Sequence, residues 1–381
     1  MSANGFSAED YRFMARAIRL AERGRYSTRP NPRVGCVLVR DGEIVGEDWH
    51  RVAGGPHAEV LALRQAGDRA RGATAYVTLE PCAHHGKTPP CADALIEAGV
   101  ARVVAADIDP NPQVGGKGLA RLEAAGIETA HGLMAAQAAA LNPGFLKRMR
   151  EGRPLVRVKL ASSLDARTAM ESGESSWITG EAARRDVQRW RARAEAVLTG
   201  IGTVLSDDPR LNVRLDADAL GSADPVPQPL RVVVDTWLQM PATAQMLSLD
   251  GPTLVLTTLD DPVRREALEA AGAEVALVGS EAGHASLQEV LRVLAEREVN
   301  ELHVESGPTL AGALLNAGLV DELLVYQAPH LMGSSARPLL QLPGIERMTQ
   351  RIPLEIVEHR RVGEDLRILA RPRVEAGRGG H

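Results

Sequence analysis

Short runs of β-branched and aliphatic residues alternate with helix-length stretches along nearly the whole chain. That alternation leaves few folds open. Residues 8–23 put Tyr11, Met14, Ala15, Ile18 and Ala21 near helical spacing and predict an amphipathic helix. Residues 33–40 form a β-rich run closed by the Asp41-Gly42 turn pair and followed by 43–49, which predicts a hairpin. Helices at 57–66, 91–98 and 118–125 then alternate with strands at 73–79, 101–106 and 127–130. This pattern predicts a three-layer α/β domain over 1–145. Residues 142–154 carry Pro, Gly and a run of charges and are read as a linker. A second α/β domain is expected over 153–372. Its strands fall at 155–161, 196–199, 230–234, 253–257, 301–304, 322–326 and 366–370, and its clearest helices at 184–194 and 286–297. Residues 221–229 read as a surface loop, and 373–381 as a disordered tail. No internal repeat links the halves, so two different folds are expected.

Composition narrows the class. The chain has 381 residues, enough for two such domains, with 44% hydrophobic and 24% charged residues, a globular balance. A net charge of −5 supplies no basic field for nucleic acid or for an anionic membrane. Three cysteines, at 36, 82 and 91, are too few for a disulfide framework, and no run approaches the ~20 apolar residues of a membrane span. Charges interrupt the N-terminal stretch, so no signal peptide is read there, and a cytoplasmic protein is expected. Lysine occurs only at 87, 117, 147 and 159 in a chain that otherwise uses arginine, so each position can be weighed singly.

The densest chemistry is His57-Ala58-Glu59 followed by Pro81-Cys82-Ala83-His84-His85-Gly86-Lys87-Thr88-Pro89-Pro90-Cys91. One imidazole and two thiols are a donor set that zinc prefers, and three protein ligands leave one tetrahedral position open for water. Two thiolates, a neutral imidazole and Zn²⁺ sum to zero charge. Cys82 follows a predicted strand and Cys91 opens a predicted helix, where the dipole favours a thiolate. On a regular helix His57 and Glu59 would sit ~200° apart. They converge only on a site lying off the helix end. Glu59 is then the acid/base that moves a proton from water to the leaving amine. Cys36, among apolar neighbours, reads as a core thiol. His50, His84 and His85 are further polar candidates, with a substrate contact possible at His50.

The His-x-Glu and later Pro-Cys resemble the cytidine-deaminase-like zinc enzymes, whose usual pattern has two residues between the cysteines. Here eight intervene. Pro81–Cys91 in this form, together with Asn31-Pro32-Arg33-Val34-Gly35, resembles the deaminase half of the bifunctional riboflavin-pathway deaminase–reductase family (RibD type). The resemblance implies a fold, a cytidine-deaminase-like α/β/α domain, and a substrate, 2,5-diamino-6-(5-phosphoribosylamino)pyrimidin-4(3H)-one. It also implies substrate contacts at Asn31, Lys87 and Thr88.

No Gly-x-Gly-x-x-Gly follows a strand in the second half, so a Rossmann site is not supported. The segment 302–312 instead runs a strand into Gly307-Pro308 and a helix start, where free amides can face a phosphate. Four segments occur in order: 159–165, 173–179, 203–211 and 305–312. Together they resemble the reductase half of the same family, with a dihydrofolate-reductase-like fold and NADPH as cofactor. By motif position the resemblance implies nucleotide contacts at Ala161, Trp177, Thr203, Asp207, Thr236 and Gly307, Pro308, Thr309, Leu310, Ala311, Gly312 and Ala313. It implies substrate contacts at Ser175, Arg191, Leu211, Arg214 and Glu305. Lys159 and Asp207 become the candidates for proton traffic as a ribosyl group is reduced to ribityl. Partners are then small pyrimidine ribosyl phosphates, and a homo-oligomer, dimer or tetramer, is expected. Two other readings compete. A nucleic-acid base deaminase would need a basic channel, which the net charge disfavours. A structural zinc would need a fourth ligand and would leave Glu59 idle.

Overall fold

The computed structural model describes residues 5–84, 89–111, 115–174 and 178–373. The chain forms two compact units. One comprises Met1–Gly152 with Asp216–Pro227, the other Arg153–Leu215 with Gln228–His381.

The first unit is built on a five-stranded sheet. Its strands are β1 (Gly35–Arg40), β2 (Glu43–Trp49), β3 (Thr74–Val77), β4 (Arg102–Ala105) and β5 (Glu128–His131), in the order β2-β1-β3-β4-β5. The β1–β2 hairpin turns through Asp41 and Gly42, both at positive φ, the backbone that a tight two-residue turn requires. β1 and β3 are antiparallel, while β3, β4 and β5 run parallel. The period-2 alternation of β1 divides the core. Cys36 and Leu38 face one layer, with Ala58 and Ala62 of helix Ala58–Ala66 and with Leu95 and Leu122. Val37 and Val39 face the other, with Phe13, Met14, Ala17 and Ile18 of helix Ala8–Ala21. Three layers result, and Cys36 is a core thiol. Gly35 permits the close approach of that first helix, since a Cβ there would lie 2.1 Å from the Ala17 carbonyl oxygen.

The stretch 142–154, read as a linker, is a structural element instead. Pro143–Glu151 is a helix with proline in its first turn. Phe145 and Leu146 pack against Leu79, and the Asn142 side chain pairs with both the N–H and the C=O of Arg33 at 2.8 and 2.9 Å. Local charge and flanking Gly and Pro masked an apolar stripe, which also includes Met149. The sequence-distant Asp216–Pro227 completes the unit. Arg29 Nη2 donates to the Pro227 carbonyl at 2.6 Å, and Arg51 lies 3.9 Å from Asp224.

The second unit is built on a nine-stranded sheet: β6 (Leu155–Ser163), β7 (Ala196–Gly200), β8 (Leu230–Val234), β9 (Thr253–Thr257), β10 (Ala273–Leu277), β11 (Glu301–Val304), β12 (Glu322–Ala328), β13 (Leu354–Val362) and β14 (Asp365–Pro372). Their order is β10-β9-β8-β7-β11-β6-β12-β14-β13. Neighbours are parallel until β12, after which β14 and β13 are antiparallel. β10, β13 and the helix Pro262–Ala270 were not expected from the sequence. β13 is solvent-exposed along nearly its whole length, so it lacks the buried alternation by which a strand is recognised. Val156, Leu302, Val304 and the helices Leu287–Glu296 and Pro308–Asn316 build the main apolar core.

Helix Glu181–Arg193 meets a polar stripe of the same sheet. Arg157 on β6, wholly buried, bridges Glu301 at 3.0 Å and Glu322 at 2.7 Å and lies 4.5 Å over the Trp190 ring. Tyr326 Oη donates to Asp186 at 2.7 Å, and Arg367 pairs with the same carboxylate at 2.9 Å. Buried charges demand partners; Glu301 and Asp186 join strand to helix, and Glu322 joins strand to strand through Arg157 and Arg371.

Candidate active sites

His57 is the N-cap of helix Ala58–Ala66 and has extended backbone, φ −73 and ψ 166. It therefore stands off the helix rather than on it. Glu59 is in the first turn, which resolves the angular conflict between the two. His57 Nδ1 lies 3.2 Å from Cys91 Sγ and 3.7 Å from Cys82 Sγ, and all three ligand atoms fall within 4.8 Å of one another. Ligands about 2.0–2.3 Å from a tetrahedral zinc are separated by about 3.5 Å. The residues therefore fit the ion without rearrangement. Cys91 opens the helix Cys91–Glu97, and its backbone N–H donates to Cys82 Sγ at 3.3 Å. The Cys91 thiol, His57 and that backbone bond favour a thiolate on Cys82 and hold its pKa well below the ordinary thiol range. Glu59 is buried, one carboxylate oxygen lacks a partner among the described residues, and burial pushes its carboxyl up to about 7. A carboxyl poised there can both take and return a proton at neutral pH.

His50 is buried against the same group, its ring edge-on to His57 at 5.2 Å between centroids. Its Nδ1 lies 3.2 Å from the Pro56 carbonyl oxygen and its Nε2 3.1 Å from Asn31 Nδ2. A neutral ring that donates to Pro56 and accepts from Asn31 satisfies both, and burial lowers its pKa to about 4. The sequence carried no signal for Glu80. Its carboxylate accepts from the backbone N–H groups of Asp109, Gly116, Gly118 and Leu119, between 2.9 and 3.2 Å. It ties the Pro81-Cys82 segment to the following loop. A Cβ at Gly118 would fall 1.9 Å from the Pro81 carbonyl oxygen, so only glycine allows that approach. His84 is exposed and stands outside the ligand group. Lys87 and Thr88 lie outside the described residues, as do Ser175, Trp177 and the tail 374–381.

In the second unit, Glu305 follows β11 and gathers the charged candidates. Arg191 donates to both its oxygens, the Nη2–Oε2 bond measuring 3.0 Å, and gives Nη1 to the Asn212 carbonyl at 3.0 Å. Lys159 Nζ lies 3.9 Å from Glu305 Oε2. Burial and Arg191 pull the Lys159 pKa down against the pull of Glu305. Burial opposes the charge on Glu305, but Arg191, His303 and Lys159 together outweigh it and hold that carboxyl well below the ordinary range. Arg191 is thus committed to a carboxylate and a carbonyl, whereas Arg214 is exposed, its guanidinium donating to Asn212 Oδ1 at 3.4 Å. The Leu211 side chain is buried in a core cluster, and its backbone sits at φ 51. It can offer a substrate only its backbone, held in a conformation costly for leucine.

The nucleotide candidates divide in the same way. Helix Pro308–Asn316 begins at Gly307 with no side-chain cap, and since Pro308 has no N–H the amides of Thr309 and Leu310 are the ones left for a phosphate. Thr203 Oγ1 accepts from the Gly307 N–H at 3.3 Å, which joins two of the candidate segments. Thr309 and Ala313 are exposed. Ala311 and Leu310 belong to the core packing, and a Cβ at Gly312 would lie 1.9 Å from the Gln341 carbonyl oxygen. Those positions fit the helix onto the sheet. Thr236 accepts from the Ala285 N–H at 3.2 Å. Asp207 is exposed at the last turn of helix Ile201–Asp207, and Ala161 lies on β6 two residues from Lys159. Uncapped amides beside a glycine turn suit a dinucleotide phosphate.

Comparisons with known proteins give the family. The cytidine and deoxycytidylate deaminase zinc-binding region matches residues 7–107, and the RibD C-terminal domain matches residues 154–368. Riboflavin biosynthesis protein RibD of Escherichia coli is 54% identical over 363 residues, covering 94% of this chain and 98% of that protein. The chain belongs to the RibD family. RibD of Bacillus amyloliquefaciens is 44% identical over 96% of both chains. Among solved structures, Acinetobacter baumannii RibD superposes with a TM-score of 0.88 at 46% identity, covering 96% of this chain and 99% of that one. A Thermotoga maritima diaminohydroxyphosphoribosylaminopyrimidine deaminase/5-amino-6-(5-phosphoribosylamino)uracil reductase superposes at 0.82 with 32% identity and the same coverage. As a RibD-family member the chain is a bifunctional enzyme of riboflavin biosynthesis, a zinc-dependent deaminase followed by an NADPH-dependent reductase. No described helix is long and apolar enough to cross a membrane.

Proposed function

We propose that the chain deaminates 2,5-diamino-6-(5-phosphoribosylamino)pyrimidin-4(3H)-one and then reduces the ribosyl group of the resulting 5-amino-6-(5-phosphoribosylamino)uracil to ribityl. The names of the relatives support these substrates. The observation that carries the deaminase roles is the buried Glu59 carboxyl, with an unpartnered oxygen, beside His57, Cys82 and Cys91. When bound, zinc lowers the pKa of water and makes it a nucleophile at neutral pH. Glu59 takes the proton of that water as it attacks the ring carbon bearing the amino group, and hands it to the departing ammonia. Asn31, held by His50, together with Lys87 and Thr88, orients the pyrimidine and its ribosyl phosphate.

For the reductase, NADPH supplies a hydride to the open-chain sugar carbon. The amides of Thr309 and Leu310 at the helix start, with Gly307, Pro308, Thr203, Thr236, Ala161, Trp177 and Asp207 around them, hold the nucleotide. Arg191 fixes the Glu305 carboxylate against the ribosyl hydroxyls, with Ser175 and the Leu211 backbone beside it. Arg214 is the guanidinium left for the phosphate. Lys159, its pKa lowered by burial, delivers the proton to the nascent alkoxide, with Asp207 as its relay to solvent. A homo-oligomer in the cytoplasm completes the proposal. The exposed Leu354, Ile356 and Val357 on edge strand β13 support self-association. Light scattering on purified protein checks it, a dimer or tetramer being expected and a monomer contradicting it. The functional test gives Glu59→Gln protein the diamino substrate. Zinc content is expected to stay unchanged while ammonia release collapses; normal release would remove Glu59 from the mechanism.

A further inference from the structure

His303 lies on β11, two residues before Glu305, and is fully buried. Alternation along the strand puts Glu301, His303 and Glu305 on one face. In register, His303 stands opposite Arg157 on β6. A wholly buried imidazole normally bonds through at least one nitrogen. Here neither ring nitrogen completes a hydrogen bond among the described residues, and Nε2 sits 3.5 Å from Glu305 Oε1.

The charges around the ring decide its form. Arg157 of β6 and Arg191 of helix Glu181–Arg193 both disfavour a proton on it, and burial does so more strongly. Glu305 alone favours one, and Arg191 already neutralises that carboxylate, with Lys159 alongside. The ring is therefore neutral and carries one N–H. Arg157 is itself matched by Glu301 and Glu322. The carboxylate within reach of the ring is Glu305, its Oε1 a few tenths of an ångström beyond a normal bond to Nε2.

We propose that His303 is a positioning residue of the reductase. It is the Nε2–H tautomer, and its N–H is directed at Glu305 Oε1, 3.5 Å away. Arg191 holds the carboxylate from the helix side, and His303 holds it from the sheet, so its orientation is fixed before substrate arrives. The proposal rests on Glu305 as a substrate-binding residue.

The test uses full-length protein with NADPH and 5-amino-6-(5-phosphoribosylamino)uracil, comparing His303→Leu with His303→Gln. Glutamine carries an N–H donor near the position of Nε2, and leucine carries none. His303→Leu is expected to raise KM for the substrate about tenfold, the loss of one bond to a charged group. Its kcat, its NADPH affinity by fluorescence titration and its ammonia release stay near wild type. His303→Gln restores KM to within about threefold of wild type. An unchanged KM in His303→Leu, or equal KM shifts in both variants, would overturn the assignment. If the leucine variant does not fold, His303→Asn replaces it, because its shorter amide puts the donor at the position of Nδ1. KM should then rise in the asparagine variant and not in the glutamine variant, and equal values overturn the proposal. A wild-type chain that oxidises no NADPH with this substrate overturns the reductase reading itself.

Discussion

The two sites are assembled by opposite means. The deaminase centre draws its ligands and its acid/base group from residues 57–91, and two helix starts and one strand end bring them together. The ligand atoms of His57, Cys82 and Cys91 lie within 4.8 Å of one another, which is how a metal site is laid out. The reductase centre takes Lys159, Arg191, Arg214 and Glu305 from separate elements, and Glu305 is already paired with Arg191 and lies 3.9 Å from Lys159. The first site is laid out around an ion, whereas the second holds its carboxylate in place before any ligand arrives.

Substitutions that touch one site and spare the other sharpen this contrast. The largest effects belong to the deaminase. Cys82→Ser or exhaustive chelation should abolish ammonia release, while NADPH oxidation on the deaminated substrate persists; a parallel loss of both activities would break the separation. Glu59→Gln should lower ammonia release about 10²–10⁴-fold with zinc retained, read by metal analysis alongside an ammonia assay. In the reductase, Lys159→Met should cut kcat for NADPH oxidation about 10²-fold and leave deamination alone. Lys159→Arg tests whether the site needs an ammonium that can lose its proton, and full activity there would show that any cation suffices.

The smallest effect concerns stability. Asp10 is bonded by Tyr76 and Arg102, each at 2.8 Å, and by the Ser7 backbone. Burial opposes its charge, but these bonds prevail and hold its carboxyl at about 2, below its ordinary 3.8. A depressed folded-state pKa means that its contribution is complete above about pH 4 and is lost as pH falls towards 2. Asp10→Asn should lower the melting temperature at neutral pH by several degrees, for about 1–2 kcal/mol, with the gap to wild type closing below pH 3. A gap that persists at pH 2 would assign the loss to packing.

The same contrast explains what the sequence disclosed. His57, Glu59, Cys82 and Cys91 were legible because a metal needs fixed residue types at short spacings. Most strand positions were legible because buried strands are apolar runs. Glu80 was not, because it serves four backbone amides that no side-chain pattern announces. His303 was not, because its neighbours Arg157 and Arg191 are brought to it only by sheet register and helix packing. The helix Pro143–Glu151 was hidden by its charges, and β13 by its exposure. The commitment of Arg191 to Glu305 also had no local signal, since 114 residues separate them.

The central claim is that one chain holds two chemically independent active sites working in sequence. Supplying the diamino substrate with NADPH to the zinc-loaded protein, and following ammonia and NADPH separately, tests it most directly. Ammonia should appear with or without NADPH, and NADPH should be oxidised one-for-one after a lag that lengthens in Glu59→Gln. NADPH oxidation without prior ammonia release, or neither signal with zinc bound, would contradict the account.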